Sequence, residues 1–340
     1  MTEPHTYAAL AQQILTGAEP SQDQCRSILQ SPDTDLLSLL DAAFKIRRHH
    51  FGLSVQLHVL KNAKSGLCPE DCGYCSQSSV SDAPIEKYAL QSSDEILSGA
   101  FDAHQGGAQR YCIVTSGRAP TDNEIGKLCG TVRSIKDQVN IEICCCLGLL
   151  SPDHANKLKS AGVDRVNHNL NTSPSYHEEI VSTHTYEDRL DTLRNVKAAG
   201  LSICSGGIVG MGETHDDIIE MAFALKKAEA DSIPVNFLHP IDGTPLAGRE
   251  NLTPRDCLRV LSLFRFVNPS REIRVAGGRE RNIRSLQVMS LYPANSMFIE
   301  GYLTTEGQAT SDAHQMIADA GFEVTTTVAP ANPETVLSIA

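Results

Sequence analysis

Residues 109–146 read QRYCIVTSGRAPTDNEIGKLCGTVRSIKDQVNIEICCC. A short apolar run, Gln109–Thr115, leads into Thr121-x-x-Glu124, whose spacing resembles a capping box. A capped amphipathic helix then carries the chain to a second short run, Asn140–Cys146. This strand–helix–strand rhythm is the mark of a βα unit and a parallel sheet. It recurs from residue 54 onward. The strand candidates are Ser54–Leu60, Gln109–Thr115, Asn140–Cys146, Asp164–Asn169, Ser202–Val209, Ile233–Leu238, Glu272–Ala276 and Ser296–Glu300, eight in all. Thr185-x-x-Asp188 and Thr214-x-x-Asp217 resemble further capping boxes, with Asp in the Glu/Gln place. Ser151-Pro152 and Thr253-Pro254 set an N-cap residue before a first-turn proline, and Ala198-Ala-Gly200 is a helix stop.

Eight such units predict an α/β fold, a (β/α)8 TIM-type barrel. A doubly wound open sheet is the alternative, but no Gly-x-Gly-x-x-Gly follows the first strand candidate. Residues 1–50 read as an N-terminal helical extension, residues 51–322 as the barrel domain, and residues 323–340 as a short C-terminal tail. The tail, with Thr325-Thr-Thr327, Pro330 and Pro333, is expected to be mobile.

The 340 residues are 41% hydrophobic and 21% charged, an ordinary globular composition with ample length for a core. No apolar run approaches the ~20 residues of a membrane span. A formal net charge of −12 argues against a phosphate-tracking nucleic-acid binder. The first residues lack the basic and apolar regions of a secretory signal, so a cytoplasmic protein is expected. Eleven cysteines, unevenly clustered, then point to metal ligation or catalysis rather than a disulfide framework. Cys25, Cys129 and Cys257 sit in helical patterns and read as small buried hydrophobes.

The first βα unit is far longer than the others, and its loop holds Cys68-Pro-Glu-Asp-Cys72-Gly-Tyr-Cys75. Long loops of this kind are usually functional, and barrel active sites lie at the C-terminal ends of the strands. Three soft thiolates suit zinc or an iron–sulfur cluster. A structural zinc site wants four closed ligands, and no local fourth Cys or His is present. A cubane of four irons would keep one iron open to a substrate or cofactor. Spacing alone leaves both metals in play.

Cys-x3-Cys-x2-Cys with an aromatic residue before the last cysteine resembles the signature of the radical S-adenosylmethionine (SAM) enzymes. Residues 68–78, Cys-Pro-Glu-Asp-Cys-Gly-Tyr-Cys-Ser-Gln-Ser, are similar to those of the biotin synthase family, and the resemblance runs from about residue 50 to about residue 305. It implies a 4Fe-4S cluster on Cys68, Cys72 and Cys75 that binds SAM and cleaves it to a 5′-deoxyadenosyl radical, with Tyr74 beside the adenine. It also implies a 2Fe-2S cluster, the sulfur donor, on Cys112, Cys144, Cys204 and Arg274. The motifs that carry this second set are Arg110-Tyr-Cys112, Glu142-Ile-Cys144, Ser202-Ile-Cys204-Ser-Gly-Gly and Ile273-Arg274-Val-Ala-Gly-Gly-Arg279. Taken singly, a strand cysteine fills an interior layer and a strand arginine pairs with a carboxylate. Arginine is a poor metal ligand, and only the resemblance proposes it. Cys146 faces the same way as Cys144, and Cys144 is the expected ligand.

In Asn167-His-Asn169-Leu-Asn171-Thr, the resemblance assigns Asn167 and Asn169 to substrate and Asn169 and Asn171 to SAM, Asn171 standing where an aspartate is common. Arg189 matches a residue that reaches the SAM carboxylate, and Asn236 one that binds the ureido ring of dethiobiotin. Ser205-Gly-Gly-Ile-Val-Gly-Met-Gly-Glu213 resembles a glycine-rich SAM segment. The implied activity is a sulfurtransferase that joins sulfur to C6 and C9 of dethiobiotin, with no general base from the protein. A homodimer and a flavodoxin-type electron donor come with it, as does an absence of nucleic-acid or membrane partners. The alternatives are another barrel radical SAM enzyme, a mutase or cofactor maturase, and a non-catalytic zinc or iron binder. The mutase or maturase would have no reason to assemble Cys112, Cys144, Cys204 and Arg274.

Overall fold

The computed structural model describes residues 5–249 and 252–325. Three helices come first: α1 (His5–Leu15), α2 (Gln22–Leu29) and α3 (Leu36–Phe51). They pack outside the barrel, α2 and α3 against a later helix, α9 (Pro254–Val267). The barrel strands are β1 (Ser54–Lys64), β2 (Arg110–Thr115), β3 (Glu142–Cys146), β4 (Arg165–Asn167), β5 (Ser202–Cys204), β6 (Gly207–Val209), β7 (Ser232–Phe237), β8 (Glu272–Val275) and β9 (Ser296–Ile299). Between them run α4 (Ser93–Gln105), α5 (Asp122–Gln138), α6 (Pro152–Ser160), α7 (Tyr186–Ala198), α8 (His215–Lys227), α9 and α10 (Arg279–Ile283). A small hairpin, β10 (Gly301–Tyr302) and β11 (Thr305–Glu306), leads to α11 (Thr310–Asp319) and β12 (Glu323–Val324).

Neighbouring strands follow the order β1-β2-β3-β4-β5-β7-β8-β9, and β9 pairs back onto β1. The ring is closed and its pairings are parallel, so the fold is the expected (β/α)8 barrel. The fifth candidate strand is split by Ser205-Gly206 into β5 and β6, both beside β7. A Cβ at Gly206 would lie 1.9 Å from the Pro234 carbonyl oxygen, so only glycine lets the chain pass there.

The Thr121–Glu124, Thr185–Asp188 and Thr214–Asp217 boxes all close reciprocally, which fixes where α5, α7 and α8 begin. Alternation along each strand does the rest. Ile113, Ile143, Cys145, Val166, Ile203 and Ile273 face the helices, while the intervening residues face the barrel interior. Cys25, Cys129 and Cys257 are buried in this outer core, as expected.

The tail expected from residue 323 does not begin there. Glu323 and Val324 pair in parallel with Ser54 and Val55, along the part of β1 that precedes its barrel partners. Phe322 anchors them, buried with its ring under the Arg47 guanidinium at 4.7 Å. The rest of the expected tail, residues 326–340, lies outside the described residues. No helix among the described residues is long and apolar enough to cross a membrane.

Candidate active site at the mouth of the barrel

The loop after β1 is tied down by its own acidic pair. The Glu70 carboxylate accepts from Thr183 Oγ1 at 2.7 Å, from Arg118 Nη1 at 3.1 Å and from the His184 ring. Asp71 accepts from the Ser182 and Thr183 backbone N–H groups at 3.0 and 3.2 Å, and from both hydroxyls. Burial raises the Asp71 carboxyl, but the bonds from Ser182 and Thr183 outweigh it and bring it down to about 2. Glu70 moves the same way: burial opposes the shift, and Thr183, His184 and Arg118 prevail.

So anchored, the loop presents Cys68, Cys72, Cys75 and Tyr74 to a cavity of about 300 Å³ at the C-terminal ends of the strands. Cys72 packs beside Ile180, Met211 and Leu238. Desolvation pushes the Cys75 thiol up to about 12 and the Cys72 thiol in the same direction. Three thiols on one cavity wall, spaced as quoted, are a soft donor set that could serve a metal centre. Among the described residues no three His, Cys, Asp or Glu side chains converge on a point that one metal ion would take.

The polar stretch after β4 is a cross-linked hub. Asn167 Nδ2 donates to Asn169 Oδ1 at 2.9 Å and approaches the Cys204 sulfur at 3.2 Å. Asn169 Oδ1 also takes the Gly206 N–H at 3.1 Å, and its carbonyl takes Arg189 Nη1 at 2.7 Å. Asn171 sits at φ 70° and donates to the Tyr74 hydroxyl, joining β4 to the cysteine loop. Arg189 is buried, lines the cavity and leaves Nε without a partner. A buried unpartnered guanidinium N–H in a cavity suits an anionic ligand. Glu213 accepts from the Gly210 and Met211 N–H groups at 2.6 and 2.8 Å, so it shapes the glycine-rich turn.

Deeper in the barrel, Cys112, Cys144 and Cys204 pack together with Ala276 and Phe298, all buried. Cys112 and Cys144 are direct partners across β2 and β3. Arg274 Nη1 lies 3.8 Å from the Cys204 sulfur, and its guanidinium stacks on Phe298 at 5.0 Å. Of the triplet, Cys144 joins this group, Cys145 faces the helices, and Cys146 is half-buried on the cavity wall. The chain therefore brings together every residue that the motifs singled out for the second site.

Asn236 also lines the cavity, and its amide is already partly committed. Nδ2 donates to the Gly207 carbonyl at 3.0 Å, and Oδ1 accepts from the Gly277 N–H at 2.9 Å. One N–H and one lone pair remain. Sequence reasoning missed what lies on the far side of the thiols. There Arg110, Arg165, Glu142 and Glu272 form a charged layer with His58 beside it, and Arg165 lies 2.7 Å from Glu272. The signal was available: Arg110, Glu142 and Glu272 each stand two residues before Cys112, Cys144 and Arg274, on the same strand face.

Residues 64–225 match the radical SAM superfamily, and residues 234–323 match the biotin and thiamin synthesis associated domain. Among solved structures, methylornithine synthase superposes with a TM-score of 0.82 at 19% identity, covering 93% of this chain and 97% of that one. At such identity the likeness speaks for the barrel alone. The biotin synthase of Halalkalibacterium halodurans is 55% identical over 94% of this chain and 96% of its own length. That of Bacillus subtilis (strain 168) is 54% identical over 94% of this chain and 95% of its own. With the cysteine loop, the strand cysteines and this similarity in hand, the chain belongs to the biotin synthase family of radical SAM enzymes.

Proposed function

We propose that the chain converts dethiobiotin to biotin by inserting one sulfur atom between C6 and C9, the strand site supplying the sulfur. It acts as a sulfurtransferase of the biotin synthase type. The observation that carries this reading is the contact group of Cys112, Cys144 and Cys204 with Arg274 Nη1 3.8 Å from the Cys204 sulfur. These residues would hold the 2Fe-2S cluster, while Cys68, Cys72 and Cys75 would hold the 4Fe-4S cluster that binds SAM. When bound, the two clusters and SAM supply the radical and the sulfur atom.

The protein's own part is placement. Arg189, with its unpartnered Nε, would meet the SAM carboxylate, and Tyr74, held by Asn171, would serve the adenine. Asn169 and Asn171 would hold SAM, and Asn167, bonded to Asn169 and close to the Cys204 sulfur, would border the substrate together with Asn169. Asn236 gives its remaining N–H and lone pair to the ureido group, which both donates and accepts. Apolar walls such as Phe298 and Leu238 keep water from a reactive carbon centre. A cytoplasmic homodimer and a flavodoxin-type reductant complete the proposal, on the family resemblance alone.

The test is anaerobic incubation of the reconstituted protein with SAM, a reductant and dethiobiotin, with biotin read by mass. Protein that carries both clusters and cleaves SAM yet makes no biotin would overturn the reading.

A further inference from the structure

Glu272 is the centre of a buried ionic layer directly behind the strand thiols. Its Oε1 accepts from Arg274 Nη2 at 2.5 Å and from Ser296 Oγ at 2.9 Å. Its Oε2 accepts from Arg165 Nη1 at 2.7 Å and from Arg110 Nη1 at 3.3 Å. Arg110 also pairs with Glu142, and His58 Nε2 stands 3.3 Å from Glu272 Oε1. His58 is held neutral by its burial, with the Arg274 charge adding to the effect. Three guanidiniums against two carboxylates leave one positive charge in excess in a layer that is buried at Glu272, Arg110 and Arg274 and partly buried at Glu142 and Arg165. An uncompensated buried charge is costly, and thiolates around an iron–sulfur core are negative partners within reach.

The same contacts orient Arg274. Its Nη2 is held by Glu272 and, at 2.7 Å, by Ser232 Oγ, and its face rests on Phe298. A planar guanidinium fixed through one nitrogen has the direction of the others set. Nη1 is thereby left facing Cys204.

We propose that Glu272 is a positioning residue for the strand site: it aims Arg274 at the cluster and, against Arg110 and Arg165, sets the electrostatic potential that the cluster feels. This rests on the reading that Cys112, Cys144, Cys204 and Arg274 hold a cluster. In a low-dielectric interior a single charge change at this range acts strongly on a redox centre.

The experiment compares wild type, Glu272→Gln, Arg165→Met and the double variant after anaerobic reconstitution. The reading is the midpoint potential of the strand cluster by spectroelectrochemical titration, with the loop cluster as internal reference. Removing the carboxylate charge favours the more negative, reduced form, so Glu272→Gln shifts the potential upward. Arg165→Met shifts it downward. The double variant restores the charge count and returns towards wild type, an outcome a purely structural role would not produce. Should Glu272→Gln alone fail to fold, Arg165→Met and the double variant still decide. Equal potentials at full iron content would overturn the proposal. Wild-type protein that takes up only the loop cluster would instead remove the reading of the strand site, and this inference with it.

Discussion

Cys112 and Cys144 stand directly opposite each other across the β2–β3 ladder, both side chains turned into the barrel. Cys145, one residue on, faces the helices, because successive strand side chains alternate. This sets up a contrast within a single protein. Cys204→Ala, which removes the third member of the inner group, should lose the 2Fe-2S spectrum and biotin formation but keep the loop cluster and SAM binding. Cys145→Ala should keep the full iron and sulfide content and lose about 1 kcal/mol of stability. Iron per chain after reconstitution checks both, and a Cys204→Ala protein with wild-type iron would return Cys204 to mere packing.

Cys72 is the most buried of the three loop cysteines, and all three line the cavity. Cys72→Ala should abolish reductive cleavage of SAM while the strand cluster still assembles. The release of 5′-deoxyadenosine, followed by chromatography, measures it. Release at the wild-type rate would show that the loop does not hold the radical-generating cluster.

Asn236→Leu would take away the proposed ureido partner and also removes the amide's own bonds to the Gly207 carbonyl and the Gly277 N–H. Dethiobiotin affinity should fall by one to two orders of magnitude, about 1–3 kcal/mol, and stability should fall by a similar amount. Calorimetric titration, run well below the variant's melting temperature, reads the first and a denaturant curve the second. Unaltered affinity would remove Asn236 from the substrate site.

The Asp71 anchor is pH-dependent with a definite sign. Its carboxyl titrates at about 2 in the folded chain against an ordinary 3.8, so it stabilises the fold above that ordinary value. The contribution is lost as pH falls from about 4 to about 2. Asp71→Asn should lower stability at neutral pH and flatten its decline over that interval. Unfolding curves across the acid range check this, and a decline as steep as that of wild type would contradict it.

The barrel was legible because alternation and capping speak locally. Thr121, Thr185 and Thr214 announce their helices without help from the rest of the fold. The break between β5 and β6 was not legible, since the need for Gly206 comes from Pro234, a neighbour 28 residues on in sequence. Cys68, Cys72 and Cys75 were readable from spacing, whereas Cys112, Cys144 and Cys204 gain meaning only when the ring closes and brings three strands together. The layer around Glu272 was passed over because a strand arginine implies a carboxylate partner without saying which one; here four strands turn such residues onto one another. The pairing of Glu323 and Val324 was not legible, because their partners on β1 lie far away in sequence.

The most direct test of the account follows the sulfur atom. Protein reconstituted anaerobically with heavy-isotope sulfide is given SAM, reductant and dethiobiotin, and the biotin formed is weighed, with Cys204→Ala treated identically alongside. The account predicts biotin carrying the heavy sulfur from wild type and no biotin from Cys204→Ala. Biotin of ordinary mass, or biotin from the variant, would contradict it.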